Sequence, residues 1–296
     1  MHTERANAKI NTYLNIQSRR DDGYHNIVSV MQTVSLCDLV SVDFQPAPQS
    51  QITLTVSGSS ELPSDCRNLA WRAAERFLQV THLTGEVKIT IQKHIPMSAG
   101  LAGGSADAAA VLRALNSLCG NALPAAELCQ IGLGLGADVP FCIRGGAMLA
   151  TGVGEQLERV CDMPSCTLVI AIGEGGVSTP RAYAALDEKY GFFAHPCTQS
   201  HQPEELIALW KSGDLAASCA SFFNIFEDVI AEQNTDVDTV KRVMREGGAI
   251  RSMMSGSGPS VFGVFDAIED AENTCSTLQN MGFRAFVCHP FGQYLD

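Results

Sequence analysis

Residues 96–110 read PMSAGLAGGSADAAA, a glycine-rich turn that runs directly into an alanine-rich stretch. The first four amide groups of a helix have no intrahelical acceptor, and the positive end of the helix dipole lies beside them. The glycines permit positive φ angles and close approach of a ligand, and Ser105 or Asp107 could cap the helix. The stretch therefore predicts a phosphate cradle, although it is neither a Walker A loop nor a GxGxxG motif. A flexible turn before an ordinary helix is an equal alternative from these residues alone.

Strands and helices are predicted on both sides of this turn. Alternating β-branched residues predict strands over 8–16 and 86–96, and apolar residues at helical spacing predict a helix over 69–78. Both halves of the chain mix strands with helices, without the regular spacing of βαβ units, which favours an α+β fold over a doubly wound sheet. Because 296 residues are enough for two cores, we expect two domains, residues 1–158 and 159–296.

The charge balance excludes nucleic acid as a partner. The chain has 20 Lys and Arg against 32 Asp and Glu, a formal net charge of −12. Such a charge repels phosphate backbones at long range, and the sequence contains no basic cluster that would offset it. A small anionic ligand remains compatible with this balance, since a few cations and backbone donors act on it at short range.

Neither a membrane nor a structural metal is indicated. The sequence has no stretch of about 18 consecutive apolar residues, and its first 20 residues have no apolar signal-peptide core. We therefore expect a cytoplasmic protein without a membrane partner. The 11 cysteines include no CxxC pair and no cysteine–histidine spacing typical of zinc sites. We expect reduced thiols in core positions and no metal site formed by the chain alone.

A second motif, LGADVPFCIRGGA at residues 135–147, sets Asp138 among apolar and glycine neighbours. A carboxylate in such surroundings is poorly solvated and suits a general base that accepts a proton from a hydroxyl. The alternative is an N-cap or turn aspartate before Pro140, and the residues alone favour that reading.

Two further segments could contribute to the same site. Lys9 lies in the apolar strand AKINTYLNI, where a lysine is either an edge-strand gatekeeper or a site residue that could offset the charge of Asp138. Residues 253–265, MMSGSGPSVFGVF, combine a glycine-containing loop with a buried strand. This loop could approach a ligand closely, or it could be a plain turn.

Taken together, the three motifs resemble the GHMP small-molecule kinases (galacto-, homoserine, mevalonate and phosphomevalonate kinases), and they occur in that family's order. Within the family, DGYH at residues 22–25 combined with GADVPF matches the branch that phosphorylates a cytidine-diphosphate-linked methylerythritol. The matching segments extend from about residue 6 to residue 265. The resemblance implies an N-terminal domain like ribosomal protein S5 domain 2 and a ferredoxin-like C-terminal domain.

The resemblance also implies a reaction. The γ-phosphoryl group of ATP, a co-substrate used with Mg²⁺, would pass to the tertiary 2-hydroxyl of the methylerythritol unit, on the methylerythritol phosphate route to isoprenoid precursors. Lys9 and Asp138 match the family's catalytic pair. Asp138 would take or orient the hydroxyl proton, and Lys9 would hold that carboxylate ionised and stabilise the transferring group. The positions that match the nucleotide site are Asn68, Leu69, Lys93, Pro96, Met97, Ser98, Ala99, Gly100, Leu101, Ala102, Gly103, Gly104 and Ser105.

A second set of residues matches the site for the cytidylyl substrate. Tyr24 and His25 would stack on the pyrimidine and hydrogen-bond it, and Tyr183 would supply the opposite aromatic face. Asn11 would contact the diphosphate arm. The full set is Asn11, Tyr24, His25, Met31, Asp138, Thr179, Tyr183, Gly256, Ser257 and Gly258. We expect ATP and this small molecule as partners, and a monomer or a weak homodimer.

Three positions near the turn depart from the family pattern. Ser98, Ala102 and Ala106 stand where the family has glycine or serine, so each adds a Cβ atom or removes a hydroxyl. Two alternatives therefore stay open: a kinase of the same fold that acts on mevalonate or a sugar, and a nucleotide-binding protein that has lost catalysis. DGYH and Tyr183 favour the cytidylyl substrate, and the presence of both catalytic matches favours an active enzyme.

Overall fold

A computed structural model of the chain describes residues 1–59, 61–173, 178–191, 202–230, 234–292 and 294. Over these ranges the strands are β1 (His2–Arg19), β2 (His25–Pro46), β3 (Gln51–Ser57), β4 (Gly85–Gln92), β5 (Ala147–Thr151), β6 (Gln156–Arg159), β7 (Thr167–Ile172), β8 (Phe223–Asn224), β9 (Arg251–Met254), β10 (Val261–Phe265) and β11 (Arg284–Cys288). The helices are α1 (Leu69–Thr81), α2 (Gly103–Leu118), α3 (Ala125–Leu133), α4 (Val139–Arg144), α5 (Thr179–Tyr190), α6 (Pro203–Ser212), α7 (Leu215–Ala220), α8 (Glu227–Ile230), α9 (Thr235–Glu246) and α10 (Ile268–Asn280).

The first half of the chain is built around a long antiparallel hairpin. Strands β1 and β2 pair from the His2–Val42 position to the Arg19–His25 position. The sheet has the order β3-β4-β2-β1-β8, with β5 paired to β2 and β6 to β5. The alanine-rich helix α2 is buried along most of its length and packs with α1 in one apolar cluster with β2, β3 and β4. Small alanine side chains allow this close approach of helix and sheet.

Strand β4 confirms the alternation that the sequence shows over residues 86–96, but it is shorter than predicted. Its side chains alternate between buried and exposed from Gly85 to Gln92. The amide of Lys93 still donates to the carbonyl of Ser57 on β3, but the two amides that follow it, those of His94 and Ile95, donate to the carboxylate of Asp38, so strand pairing does not continue.

The second half forms a four-stranded antiparallel sheet with the order β11-β7-β10-β9. Along the chain, β7 precedes helix α9 and the hairpin β9–β10, and helix α10 then leads to β11. A β-α-β-β-α-β arrangement of this kind is the ferredoxin-like unit. All six residues of β7 are buried, because helices cover one face of the sheet and the first half of the molecule covers the other.

The two halves are in extensive contact. Strand β8, from the second half, pairs in parallel with β1 of the first half, with Phe223 opposite Tyr13. The backbone amide of Phe291 donates to the carbonyl of Thr33 at 2.8 Å. A single apolar cluster also contains side chains from both halves. The division at residue 158, close to the end of β6, stays a prediction.

No helix in the described part of the chain is long and apolar enough to cross a membrane. The ten cysteines that lie in the described ranges form no disulfide with one another, and five of them are buried, whereas the sequence predicts most of them in the core. Cys197 lies outside the described residues.

Candidate active site

A cavity of about 910 Å³ opens between the two halves of the molecule. Of the residues that the sequence predicts for the site, all except Asn68 and Gly258 line this cavity. Side chains from β1, β2 and α5 meet here with the loop that precedes α2 and the loop between β9 and β10. The volume is large enough for a nucleotide and a second small molecule side by side.

The glycine-rich turn is the loop that joins β4 to α2. Gly100 has a φ angle of 74°, and a Cβ atom there would lie 2.4 Å from the carbonyl oxygen of Ser255. Ser98 and Ala102 also have positive φ angles, 52° and 58°, although both carry a side chain. The loop therefore holds a left-handed conformation at two positions that lack glycine.

Helix α2 begins earlier than the sequence indicates. Its N-cap is Ala102, with no side-chain capping bond, so the prediction that Ser105 or Asp107 caps the helix is wrong. Both residues lie inside the helix, and the carboxylate of Asp107 accepts a hydrogen bond from Lys93. The amides of the first helical turn consequently have no intrahelical acceptor and stay available to an anion in the cavity.

The Ser-Gly loop between β9 and β10 braces the glycine-rich turn from the opposite side. Ser255 Oγ donates to the carbonyl of Gly100 at 3.3 Å, and Ser260 Oγ donates to the carbonyl of Ala99 at 2.5 Å. Gly256 faces the cavity, whereas a Cβ atom on Gly258 would meet the side chain of Met254. Gly256 and Ser257 are thus the residues of the segment 253–265 that line the cavity, and Gly258 is not among them.

Lys9 lies on β1 with only 5% of its surface exposed. Its ammonium donates to Asn11 Oδ1 at 2.5 Å and to the carbonyl of Gly100 at 3.0 Å. The Asn11 side chain in turn donates to Ser29 Oγ at 2.8 Å. Lys9 therefore lines the cavity and is tied to the glycine-rich turn. Among the described residues its ammonium contacts Asn11 and Gly100 and not Asp138, so its role at the site and its offset of the Asp138 charge stay predictions.

Asp138 occupies the N-cap position of α4 by its backbone, but its side chain makes no capping hydrogen bond. It lines the cavity and is partly exposed. The sequence leaves two roles open, a cap and a base. The backbone of Asp138 stands at the cap position, but its carboxylate makes no capping hydrogen bond there, and its role as a base stays a prediction.

An aromatic and imidazole pair forms the other end of the cavity. His25 stacks on Tyr183 with ring centroids 4.8 Å apart, and Tyr183 packs edge-on against Phe226. Burial, with a contribution from the charge of Asp138, raises the pKa of Tyr183 to about 12, so its hydroxyl stays neutral. Tyr24 is 66% exposed at the rim. The short distance between the stacked rings leaves no room for a third ring between His25 and Tyr183.

Asp187 is a site residue that sequence reasoning missed. Its carboxylate lies 2.8 Å from His25 Nε2 and 3.6 Å from an Arg19 nitrogen, and all three side chains line the cavity. The spacing of Thr179, Tyr183 and Asp187, at i, i+4 and i+8, places them on one face of a helix and could have revealed it.

Asn68 and Lys93 both make contacts that stabilise the fold. Asn68 caps α1, since its Oδ1 accepts from the amide of Ala70 at 2.9 Å, and it does not line the cavity. Lys93 does line the cavity, but its ammonium is held by the carboxylates of Asp38 and Asp107. Leu69 and Met31 contribute apolar wall. The nucleotide contacts expected of Asn68 and Lys93 stay predictions.

Comparisons with known proteins agree with this arrangement. Residues 68–146 match the model of the GHMP kinases N terminal domain, and residues 208–282 match that of the GHMP kinases C terminal domain. The 4-diphosphocytidyl-2-C-methyl-D-erythritol kinase of Caldicellulosiruptor saccharolyticus is 40% identical over 93% of this chain and 92% of its own length. The protein of the same name from Clostridium botulinum is 38% identical over 96% of this chain and 98% of its own length. A crystal structure of 4-(cytidine 5'-diphospho)-2C-methyl-D-erythritol kinase superposes with a TM-score of 0.80 at 30% identity, covering 98% of this chain and 100% of that one.

The chain belongs to the 4-diphosphocytidyl-2-C-methyl-D-erythritol kinase family of the GHMP kinases. The predicted α+β fold with two GHMP domains is thereby confirmed.

The described residues of this kinase contain no cluster of three or more His, Cys, Asp or Glu side chains that could hold a metal ion. Magnesium in kinases is bound mainly by substrate phosphates with one or two protein ligands, so such a cluster is not required. Ser105 and Asp138 both line the cavity beside the glycine-rich turn. The hydroxyl oxygen of Ser105 is a ligand type that suits magnesium on a bound nucleotide.

Proposed function

We propose that this kinase transfers the γ-phosphoryl group of ATP to the 2-hydroxyl of 4-diphosphocytidyl-2-C-methyl-D-erythritol. The products are the 2-phosphate and ADP, and the step belongs to the methylerythritol phosphate route to isopentenyl diphosphate. The observation that carries the proposal is the meeting, in one cavity, of the glycine-rich turn, the side chains of Lys9 and Asp138, and an aromatic pocket at the far end.

In our proposal the phosphates of ATP lie on the loop from Pro96 to Ser105, and the adenosine lies beyond it toward Leu69. Free amides at the start of α2 and the ammonium of Lys9 beside Gly100 support this orientation, since both favour negative charge. Ser105 would supply an oxygen ligand to Mg²⁺ on the bound nucleotide, where the ion would offset the charge of the phosphates.

The reaction is an in-line displacement at the γ-phosphorus. The oxygen of the 2-hydroxyl forms a bond to phosphorus as the bond to the β,γ-bridging oxygen breaks, and ADP leaves. Asp138 accepts the hydroxyl proton, a role for which its uncommitted carboxylate is suited. Lys9 lies at the loop rather than against Asp138, so its charge acts on the transferring phosphoryl group.

In our proposal the cytosine of the cytidylyl substrate lies at the end of the cavity that contains His25. Because His25 and Tyr183 stack directly, the base would lie against the outer face of this pair, covered by the exposed ring of Tyr24. Asp187 orients the His25 ring, so that one ring nitrogen is committed and the other is left for the base. Asn11 lies between the two ends of the cavity, where the diphosphate arm would pass.

Two other readings are less well supported. A kinase for mevalonate or a sugar would have no use for an imidazole and two tyrosines at the far end of the cavity. A protein that has lost catalysis would not be expected to keep both Lys9 and an uncommitted Asp138 facing the same space. We further propose that the protein works in the cytoplasm as a monomer or weak homodimer, which agrees with the free thiols of the described cysteines.

The test is a coupled assay of ADP release with ATP and Mg²⁺, run in parallel on the cytidylyl substrate, mevalonate and galactose. We expect turnover with the cytidylyl substrate alone. Turnover with mevalonate or galactose would reject the proposed substrate, and ATP binding without any turnover would favour the protein that has lost catalysis.

A further inference from the structure

A buried cluster of three charged side chains lies directly beneath the glycine-rich turn. Asp38, on β2, has none of its surface exposed, and Lys93 and Asp107 are 8% and 2% exposed. The ammonium of Lys93 donates to both carboxylates, to Asp38 Oδ2 and, at 2.8 Å, to Asp107 Oδ2. Removing a lysine and two carboxylates from water costs free energy, so we expect the cluster to have a role besides stabilising the fold.

Asp38 also holds the backbone that leads into the turn. Its Oδ1 accepts from the amide of His94 at 2.5 Å and from the amide of Ile95 at 2.8 Å. One carboxylate thus receives three hydrogen bonds, from the ammonium of Lys93 and from the two residues that follow it. The Asp38 side chain therefore fixes the backbone conformation of His94 and Ile95, immediately before Pro96.

The far end of the turn is attached to the same ammonium. Asp107 lies in the second turn of α2, four residues after Gly103, where the helix begins. Through Lys93, the strand that enters the turn and the helix that leaves it are joined at one point. The turn between them also carries two strained residues, Ser98 and Ala102, whose positive φ angles need outside support.

The charges of the three side chains favour a cluster that persists in the folded protein. Burial lowers the pKa of Lys93, but the two carboxylates outweigh this effect and raise it above its usual value, so the ammonium stays charged. One oxygen of Asp107 has no partner among the described residues, so the hydrogen bond from Lys93 to the other oxygen is what ties this carboxylate into the cluster.

We propose that Asp38 and Asp107 are positioning residues for the nucleotide: through Lys93 they fasten both ends of the turn, so that it has its phosphate-binding shape before ATP arrives. This inference rests on the proposed function, since it takes the turn to bind ATP. Neither Asp38 nor Asp107 lines the cavity, and their effect is to raise the fraction of molecules that are competent to bind nucleotide.

The test is Asp38→Asn. Asparagine keeps one oxygen for the amides of His94 and Ile95, but its NH₂ group faces the ammonium of Lys93, donor against donor. We expect the KM for ATP to rise about tenfold, as it would if the competent turn were populated a tenth of the time. The KM for the cytidylyl substrate should stay within about twofold, and residues 96–104 should exchange amide hydrogen faster without nucleotide. A role limited to stability would move neither the ratio of the two KM values nor local exchange in the folded protein.

The matched control is Asp43→Asn, on the same strand, where the carboxylate is about a third exposed and pairs with the N-terminus. This variant should keep both KM values. If Asp38→Asn does not fold, Asp107→Ala decides the question, because it leaves the Asp38–Lys93 pair intact and removes the acceptor that ties the helix end to Lys93. An unchanged KM for ATP in a folded variant, or an equal change in both KM values, would overturn the inference.

A failure of the proposed function would be detected separately, as a lack of turnover by the wild-type protein. If the wild type shows no turnover, calorimetric titration with ATP replaces the KM. Weaker ATP binding by Asp38→Asn than by Asp43→Asn would then still support the cluster's role, and equal binding would reject it.

Discussion

Ala102 gives the glycine-rich turn a conformation that alanine does not favour. Its φ angle of 58° lies in the left-handed region, which costs a residue with a Cβ atom about 1–2 kcal/mol. Glycine avoids this cost but loses about 0.5–1 kcal/mol through the greater entropy of the unfolded chain. We expect Ala102→Gly to raise the free energy of unfolding by up to about 1 kcal/mol, measured by urea denaturation.

Ala184 provides the control for this prediction, because it is an exposed residue in the middle of α5 without a positive φ angle. Ala184→Gly should lower the free energy of unfolding by about 1 kcal/mol. A loss of similar size in Ala102→Gly would show that the left-handed conformation carries no strain.

Asp138 is the residue on which the proposed chemistry depends most. Asp138→Asn preserves the shape of the side chain and removes the proton acceptor, so we expect kcat to fall by about 10²–10⁴-fold. The KM for ATP should remain within about twofold, because the turn binds the phosphates through its backbone. Steady-state kinetics measures both, with Asp162→Asn, a surface carboxylate paired with Arg159, as the control. Wild-type kcat in Asp138→Asn would reject its role as the base.

At the scale of elements, local patterns predicted the elements but not the contacts that set their ends. The alternation in β4 and the helical spacing of α1 are both visible in the sequence, because burial on one face imposes a period. The end of β4 at Gln92 was not predictable, since it depends on Asp38, 56 residues from His94 in the chain. The pair His25–Asp187, separated by 162 residues, is likewise outside the reach of any local pattern.

The glycine-rich turn shows the same limit within a single motif. Its composition predicted a phosphate cradle, but the residues alone could not distinguish that role from a flexible turn. The structural difference lies in distant partners, namely Ser255 and Ser260 on one side and Lys9 on the other. The motif could therefore be located from the sequence, whereas its conformation depends on strands that arrive from both halves of the chain.

The buried strands and helices also determine how the cysteines react. Burial raises the pKa of Cys166 and of Cys219 to about 12, so at pH 8 about one thiol in ten thousand is ionised. Because the thiolate is the nucleophile, iodoacetamide at pH 8 should leave both residues unmodified in the folded protein and should label the exposed Cys66 first.

Peptide mass spectrometry measures this order of labelling. Raising the pH from 7 to 9 should speed the labelling of Cys66 without making Cys166 or Cys219 reactive, since 9 is still well below their pKa. In denaturant all three should react, which is the control for reagent access. Rapid native labelling of Cys166 or Cys219 would contradict their placement in the core.

At the scale of the whole molecule, a chain with a net charge of −12 presents cations to the cavity between its two halves. Lys9, Arg19 and Lys93 line that cavity, each held by a neighbouring oxygen. An acidic surface with local cations suits two small anionic substrates and disfavours long phosphate polymers, as the composition alone predicted. The walls come from both halves, so neither half alone would form the complete site.

The central claim is that this kinase phosphorylates the tertiary 2-hydroxyl of its substrate, and the product reports this directly. The measurement is the proton-coupled ³¹P NMR spectrum of the product formed from ATP and 4-diphosphocytidyl-2-C-methyl-D-erythritol. Because the carbon that bears the 2-hydroxyl carries no hydrogen, the new phosphate ester should show no splitting by a carbinol proton. A resonance split by one or two such protons would place the phosphate on another hydroxyl, and the absence of any new ester resonance would contradict the account altogether.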